Sequence, residues 1–181
     1  TLSIQLDGVD RTISISPYRV FAPDYKLLVD HGDGRLEEAA IGEINTVRGT
    51  ITDIPGSVIA GGLIDGGIVA KIKVAEDDIY WIEPLYGRVD GAEVQEHIIY
   101  RKDDALPHNG TCGTNEATMR AIDNFGIGGT RGSGCGGGVC VTDLACDADF
   151  EYFQDYGTVG NVQNRIASVI NAMNVQYESQ V

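Results

Sequence analysis

Between Leu2 and Tyr100, β-branched and aromatic side chains alternate with polar ones in short runs separated by clusters of Gly, Asp and Pro. This pattern predicts short strands joined by turns. In "SVIAGGLIDGGIVAKIKV" the pair Asp65-Gly66 supplies the positive φ angles of a tight hairpin. Beyond it Ile68, Ala70, Ile72 and Val74 alternate with Lys71 and Lys73, which are expected to point outward. The run "DIYWIEPL" predicts another strand, with Tyr80 and Ile82 on one face, Ile79 and Trp81 on the other, cover on both, and a stop at Pro84. "YKLLVD", "INTVRGTITD" and "EHIIYR" supply further strands. The fold class expected is mainly β: an antiparallel sandwich or partly open barrel rather than a parallel βαβ arrangement.

After Asp104 the character changes. "ATMRAIDNFG" has the composition of a short helix, while "GIGGTRGSGCGGG" holds too little apolar surface to offset the entropy of ordering, so residues 117–139 read as a flexible Gly-rich linker. "GSGCGG" fits G-x-G-x-x-G formally, but neither a strand before it nor a helix after it supports a nucleotide site. From Val139 "VCVTDLAC" predicts a strand, followed by a helix from about Asn161 to Glu178. Val162, Ile166, Val169, Ile170, Met173 and Tyr177 recur at helical spacing and leave Gln163, Arg165, Ser168 and Gln176 for solvent. The organisation expected is a β-rich domain over 1–107, a short segment 108–116, the linker, and a strand-helix fragment over 140–181. That fragment must dock either on the β domain or on residues outside this sequence; the second is expected, because so small a unit rarely closes a core.

Charge narrows the partners. The 181 residues hold 13 Lys plus Arg against 27 Asp plus Glu, a net charge of −14 that disfavours phosphate backbones and anionic headgroups. Nucleic acid is excluded on this ground, and no apolar run approaches the roughly 20 residues of a membrane span. A start at Thr1 without a leader reads as a processed or cropped terminus; four cysteines and the sequon Asn109-Gly110-Thr111 point to a secreted or cell-surface protein.

The blocks "FAPDYKLLVDHGDGRLEEA", "TVRGTITDIPGSVIAGGLIDGGIVAKIKVAEDDIYWIEPL" and "EHIIYRKDD", over roughly residues 18–104 and in that order, resemble the propeptide of reprolysin-type (ADAM-like) zinc metalloproteases of the metzincin class. The end of the chain, "ACDADFEYFQDYGTVGNVQNRIASVINAMNVQYE", is similar to the opening strand and first long helix of such a catalytic domain. The resemblance implies a propeptide that assists folding and keeps a secreted zymogen latent. Its partners would be its own or a cognate catalytic domain and a processing protease, and its cofactor a zinc ion held downstream. The His-Glu-x-x-His helix of that zinc site is absent, and His31, His97 and His108 are too scattered to replace it, so these residues alone are expected to hydrolyse nothing.

The resemblance also implies a role for Cys112. "TCGT", Thr111–Thr114, stands where the family carries a cysteine-switch element, although Asn109-Gly110 replaces the usual basic approach. A free thiol is only about 3% thiolate at neutral pH, but zinc deprotonates it outright, and a tethered thiolate in the open coordination position displaces the catalytic water. Gly110 and Gly113 let the backbone enter a cleft. The competing reading is a disulfide from Cys112 to Cys135, Cys140 or Cys146; if Cys112 is the switch, Cys135–Cys140 is a feasible pair and Cys146 is left over. A nucleophile paired with His108 has no orienting third group. His97 reads as a packed or hydrogen-bonded sheet residue, and the pairs Glu37-Glu38, Asp77-Asp78 and Asp103-Asp104 as solvated turns. Two alternatives of other classes stay open: an exported β-rich structural module self-associating through strand edges, and a small-molecule binder, for which no convergent polar group is evident.

Overall fold

The computed structural model describes residues 1–64, 66–106 and 144–178. Seven strands form one antiparallel sheet: β1 (Leu2–Leu6), β2 (Val9–Pro17), β5 (Thr46–Ile51), β6 (Val58–Ile64), β7 (Gly67–Lys73), β8 (Ile79–Pro84) and β9 (His97–Arg101), side by side in that order. A separate hairpin, β3 (Leu27–Asp30) and β4 (Leu36–Ala39), is inserted between β2 and β5. The sheet curls until it is nearly closed into a barrel, as the strand-rich pattern predicted. Asp7 and Gly8, both at positive φ, make the β1–β2 turn, and Gly66 does the same after β6.

Alternation decides what each strand buries. Along one row Gly49, Ile59, Ile72 and Tyr80 face one another across β5 to β8. Together with Leu6, Ile13, Ile51, Ile68, Ala70 and Ile82 the larger of these fill the barrel interior. The connection from β5 to β6 is tied by Ser57, whose Oγ accepts from the Ile51 N–H at 2.8 Å and donates to the Ile54 carbonyl at 2.7 Å. Backbones approach very closely at two glycines: a Cβ on Gly49 would run into the Ser14 carbonyl and Ile15, and one on Gly61 into the Val69 carbonyl and Ala70.

The barrel is fastened at its seam by side chains. Asp7, at the tip of the first hairpin, accepts from the Tyr80 hydroxyl at 2.7 Å and from the Arg101 guanidinium, which also reaches Asp78 at 2.9 Å and lies over the Tyr80 ring. The Arg101 and Tyr80 hydrogen bonds hold the Asp7 carboxyl below its usual range. Burial, helped by the bond to Asp7, pushes the Tyr80 phenol up to about 12.

Two helices complete the described chain. The first, α1 (Phe150–Tyr156), is capped by Asp149, which accepts from the Tyr152 N–H at 2.8 Å, and ends at Gly157 with φ 73°. The second, α2 (Val159–Glu178), matches the helix expected from about Asn161; Thr158 caps it through the Asn161 N–H. The expected strand over "VCVTDLAC" lies outside the described residues up to Thr142-Asp143, and its remainder, Leu144–Cys146, is irregular. The described residues of 1–105 and 145–178 gather into one compact unit. Of the two dockings open to the C-terminal helix, the structure therefore has the one on the β domain, the less expected of the two.

Candidate functional site

The helix also reverses the face expected to be buried. Gln163, Ala167, Ser168, Asn171, Ala172 and Val175 are the residues of α2 that face the sheet. Gln163 and Ser168, expected in solvent, are 3% and 2% exposed, while Val169, Met173 and Tyr177, expected in a core, are 50%, 40% and 61% exposed. The reason lies in the sheet. Its outer rows are Thr46, Gly62 and Val69, and Arg48, Ala60 and Lys71. Such a surface offers charges and carbonyls that must find partners once covered.

Asn171, with no exposed surface, supplies the centre. Its Nδ2 donates to the carbonyls of Val47 and Gly61, one cross-strand pair, at 2.8 and 2.9 Å. Its Oδ1 accepts from Arg48 Nε at 2.5 Å, and Arg48 goes on to grip Glu178 through both terminal nitrogens at 2.9 and 3.2 Å while lying over the Tyr18 ring. Lys71, also expected to point into solvent, is instead covered and donates to Gln176 Oε1 at 3.0 Å. Burial, then Lys73 and Lys102, lowers the proton affinity of its amine. At the other end of the helix Gln163 and Asn164 accept from the Gly42 and Asn45 N–H groups. Gly62 lets the helix come close, since a Cβ there would stand 3.0 Å from that of Ser168. Among the described residues, Gln163 Nε2 is the buried side-chain nitrogen left without a partner.

Beside the exposed side of α2 lies an open pocket of about 340 Å³ lined by Cys146, Asp149, Tyr152, Ile166, Val169 and Ile170. Cys146 is a free, exposed thiol. A second recess of about 320 Å³ runs between the β3–β4 hairpin, with His31, Glu37 and Glu38, and Gly42, Val159 and Gly160.

The residue singled out for metal ligation, Cys112, lies outside the described residues, as do Cys135, Cys140, His108 and the whole of 117–139. Among the described residues no three His, Cys, Asp or Glu side chains gather as a metal site. His31 stands 3.9 Å from Glu37 at the surface, and His97 uses both ring nitrogens in hydrogen bonds within the fold. No described helix is long and apolar enough to cross a membrane. Comparison with known proteins adds nothing: no protein-family model matches the chain, and no curated protein is similar to it.

The part played by Asn171 is not legible in the sequence, because it is one of four Asn along the helix and nothing local sets it apart from Asn161, Asn164 and Asn174. Its only signal was that Arg48 and Lys71 sat on strands whose other face was already full.

Proposed function

We propose that this chain is the latency-maintaining, folding-assisting propeptide region of a secreted zinc metalloprotease precursor, with residues 140–181 opening the protease domain. The observation that carries this reading is the outward apolar stripe of α2. A helix whose only purpose was to cover this sheet would bury its large apolar side chains. Here Val169, Met173 and Tyr177 are left open, with the half-buried Ile166 and Ile170 beside them, while the polar side is spent on the sheet. That division suits a helix shared by two bodies: the propeptide holds its polar face and the remainder of a catalytic domain takes the apolar one. The sheet would then act as the surface on which the first helix of the protease is formed and oriented.

Latency in this reading belongs to Cys112, acting as the inhibitory ligand to a zinc bound by residues outside this chain. Tethering gives its thiolate a local concentration of order millimolar, and cleavage of the connection ends the inhibition. The test uses the precursor that carries this sequence. Chelator-sensitive endopeptidase activity is expected, with Cys112→Ser raising the activity of the uncleaved precursor by roughly tenfold or more. A precursor with no chelator-sensitive activity, or one whose latency ignores Cys112→Ser, overturns the reading.

A further inference from the structure

His97, at the start of the edge strand β9, is half-buried and bonded through both ring nitrogens. Its Nε2 lies 3.0 Å from the backbone nitrogen of Ile68, just past the β6–β7 turn, and its Nδ1 lies 2.9 Å from the Gln95 carbonyl. A backbone N–H can only donate, so Nε2 must carry a lone pair. A carbonyl can only accept, so the ring proton must sit on Nδ1. One neutral tautomer satisfies both contacts, and the geometry of the neighbours fixes it.

The imidazole is wedged as well as bonded. A Cβ on Gly67 would stand 2.6 Å from His97 Nε2 and 2.9 Å from Pro84 Cβ, so the ring fills the space that Gly67 leaves. Among the described residues, its neighbours in the chain and on β8 give no relief to a cation. Glu96, its neighbour in the chain, turns its carboxylate onto the Glu93 N–H at 2.9 Å. Glu83, from β8, is held by Arg88 at 2.7 Å. From β7 the ring meets Gly67 and the Ile68 N–H, and from the 85–96 connection the Gln95 carbonyl. Among the described residues no ion pair reaches the ring.

We propose that His97 is an acid-sensitive latch that holds the turn end of the β6–β7 hairpin against β9, and that acidification opens this corner of the barrel. A proton arriving at Nε2 converts the acceptor into a donor and sets N–H against N–H. The Ile68 bond breaks, and the wedge has to leave the Gly67 space. Imidazole is the side chain whose class changes charge nearest neutrality, which makes this ring the acid-sensitive member of the corner. The inference is independent of the propeptide reading and concerns the full chain as it stands.

The test is nuclear magnetic resonance of the intact chain. Long-range proton–nitrogen spectra should show the Nδ1-protonated tautomer of His97 at pH 7.5. The exchange protection factor of the Ile68 amide should fall roughly tenfold between pH 7.5 and pH 5.5, the loss of one hydrogen bond. In His97→Gln, whose amide oxygen accepts but does not titrate, it should not fall. Gly67→Ala, which pushes the ring out, should show the low protection already at pH 7.5. An Nε2-protonated tautomer, an unchanged protection factor, or an equal fall in His97→Gln overturns the latch.

Discussion

The two faces of the same seven-stranded sheet are covered by opposite kinds of chemistry. Inside, Ile13, Ile51, Ile59 and Ile72 are all but inaccessible, and they meet other aliphatic side chains. Outside, on β5 to β7, a helix is held by Asn171, Arg48, Glu178, Gln163 and Asn164 at named atoms. Aliphatic packing rewards volume and tolerates small changes of direction. A hydrogen-bonded contact does not: sliding α2 by one turn, about 5.4 Å, would take Asn171 away from both strand carbonyls and from Arg48, leaving its buried amide without them. The inner face therefore supplies the stability of the barrel, and the outer face supplies the address at which the helix docks.

That division can be broken at either side. The largest effect is expected inside: Ile72→Ala leaves a cavity under a side chain with no exposure and should cost about 2–5 kcal/mol in urea unfolding, with sheet and helix lost together. Next comes Asn171→Ala, which removes the side-chain donor to the Val47 and Gly61 carbonyls and an Arg48 acceptor. It should cost about 1–3 kcal/mol, and hydrogen exchange should rise along α2 while β5 to β8 stay protected. If exchange rises equally in the sheet, the two faces are not separable.

The seam adds a pH dependence with two limbs, readable as loss of near-ultraviolet dichroism. Asp7 titrates below its usual value in the fold, so the stability it contributes is present above about pH 4 and lost as acid protonates it. Tyr80 titrates above its usual value, so its contribution is complete below pH 10 and lost between there and about 12. Asp7→Asn should flatten the acid limb. The smallest effect is expected at the rim of the latch: Glu178 is half exposed, and Glu178→Gln should cost no more than about 1 kcal/mol, shrinking further in high salt.

Much of the barrel was legible because its signals are local. "DG" at 65–66, alternation through β7, Pro84 at the end of β8 and "EHIIYR" each name an element by turn chemistry or period. The β1–β2 hairpin carries the same signal at Asp7-Gly8 and is found in the structure with both residues at positive φ. The helix was legible as a helix but not in its orientation. Periodicity ranks the faces of a helix by hydrophobicity, and here the partner surface, made of Arg48, Lys71 and backbone carbonyls, selects the polar one. Such a choice depends on strands some 110–125 residues away, such as those of the Asn171 bonds, and no window on the helix contains it. Cys112 stands apart: it lies outside the described residues, and what bears on it is the family resemblance alone.

Gly61 carries a consequence for what the barrel can be. At its level the backbones of β6 and β7 press together so tightly that one methyl group would collide, with Ala70 directly opposite. The obstacle is the main chain of the neighbouring strand, which no change of rotamer can move aside. Position 61 is therefore closed to every residue but glycine for as long as β6 and β7 keep this register.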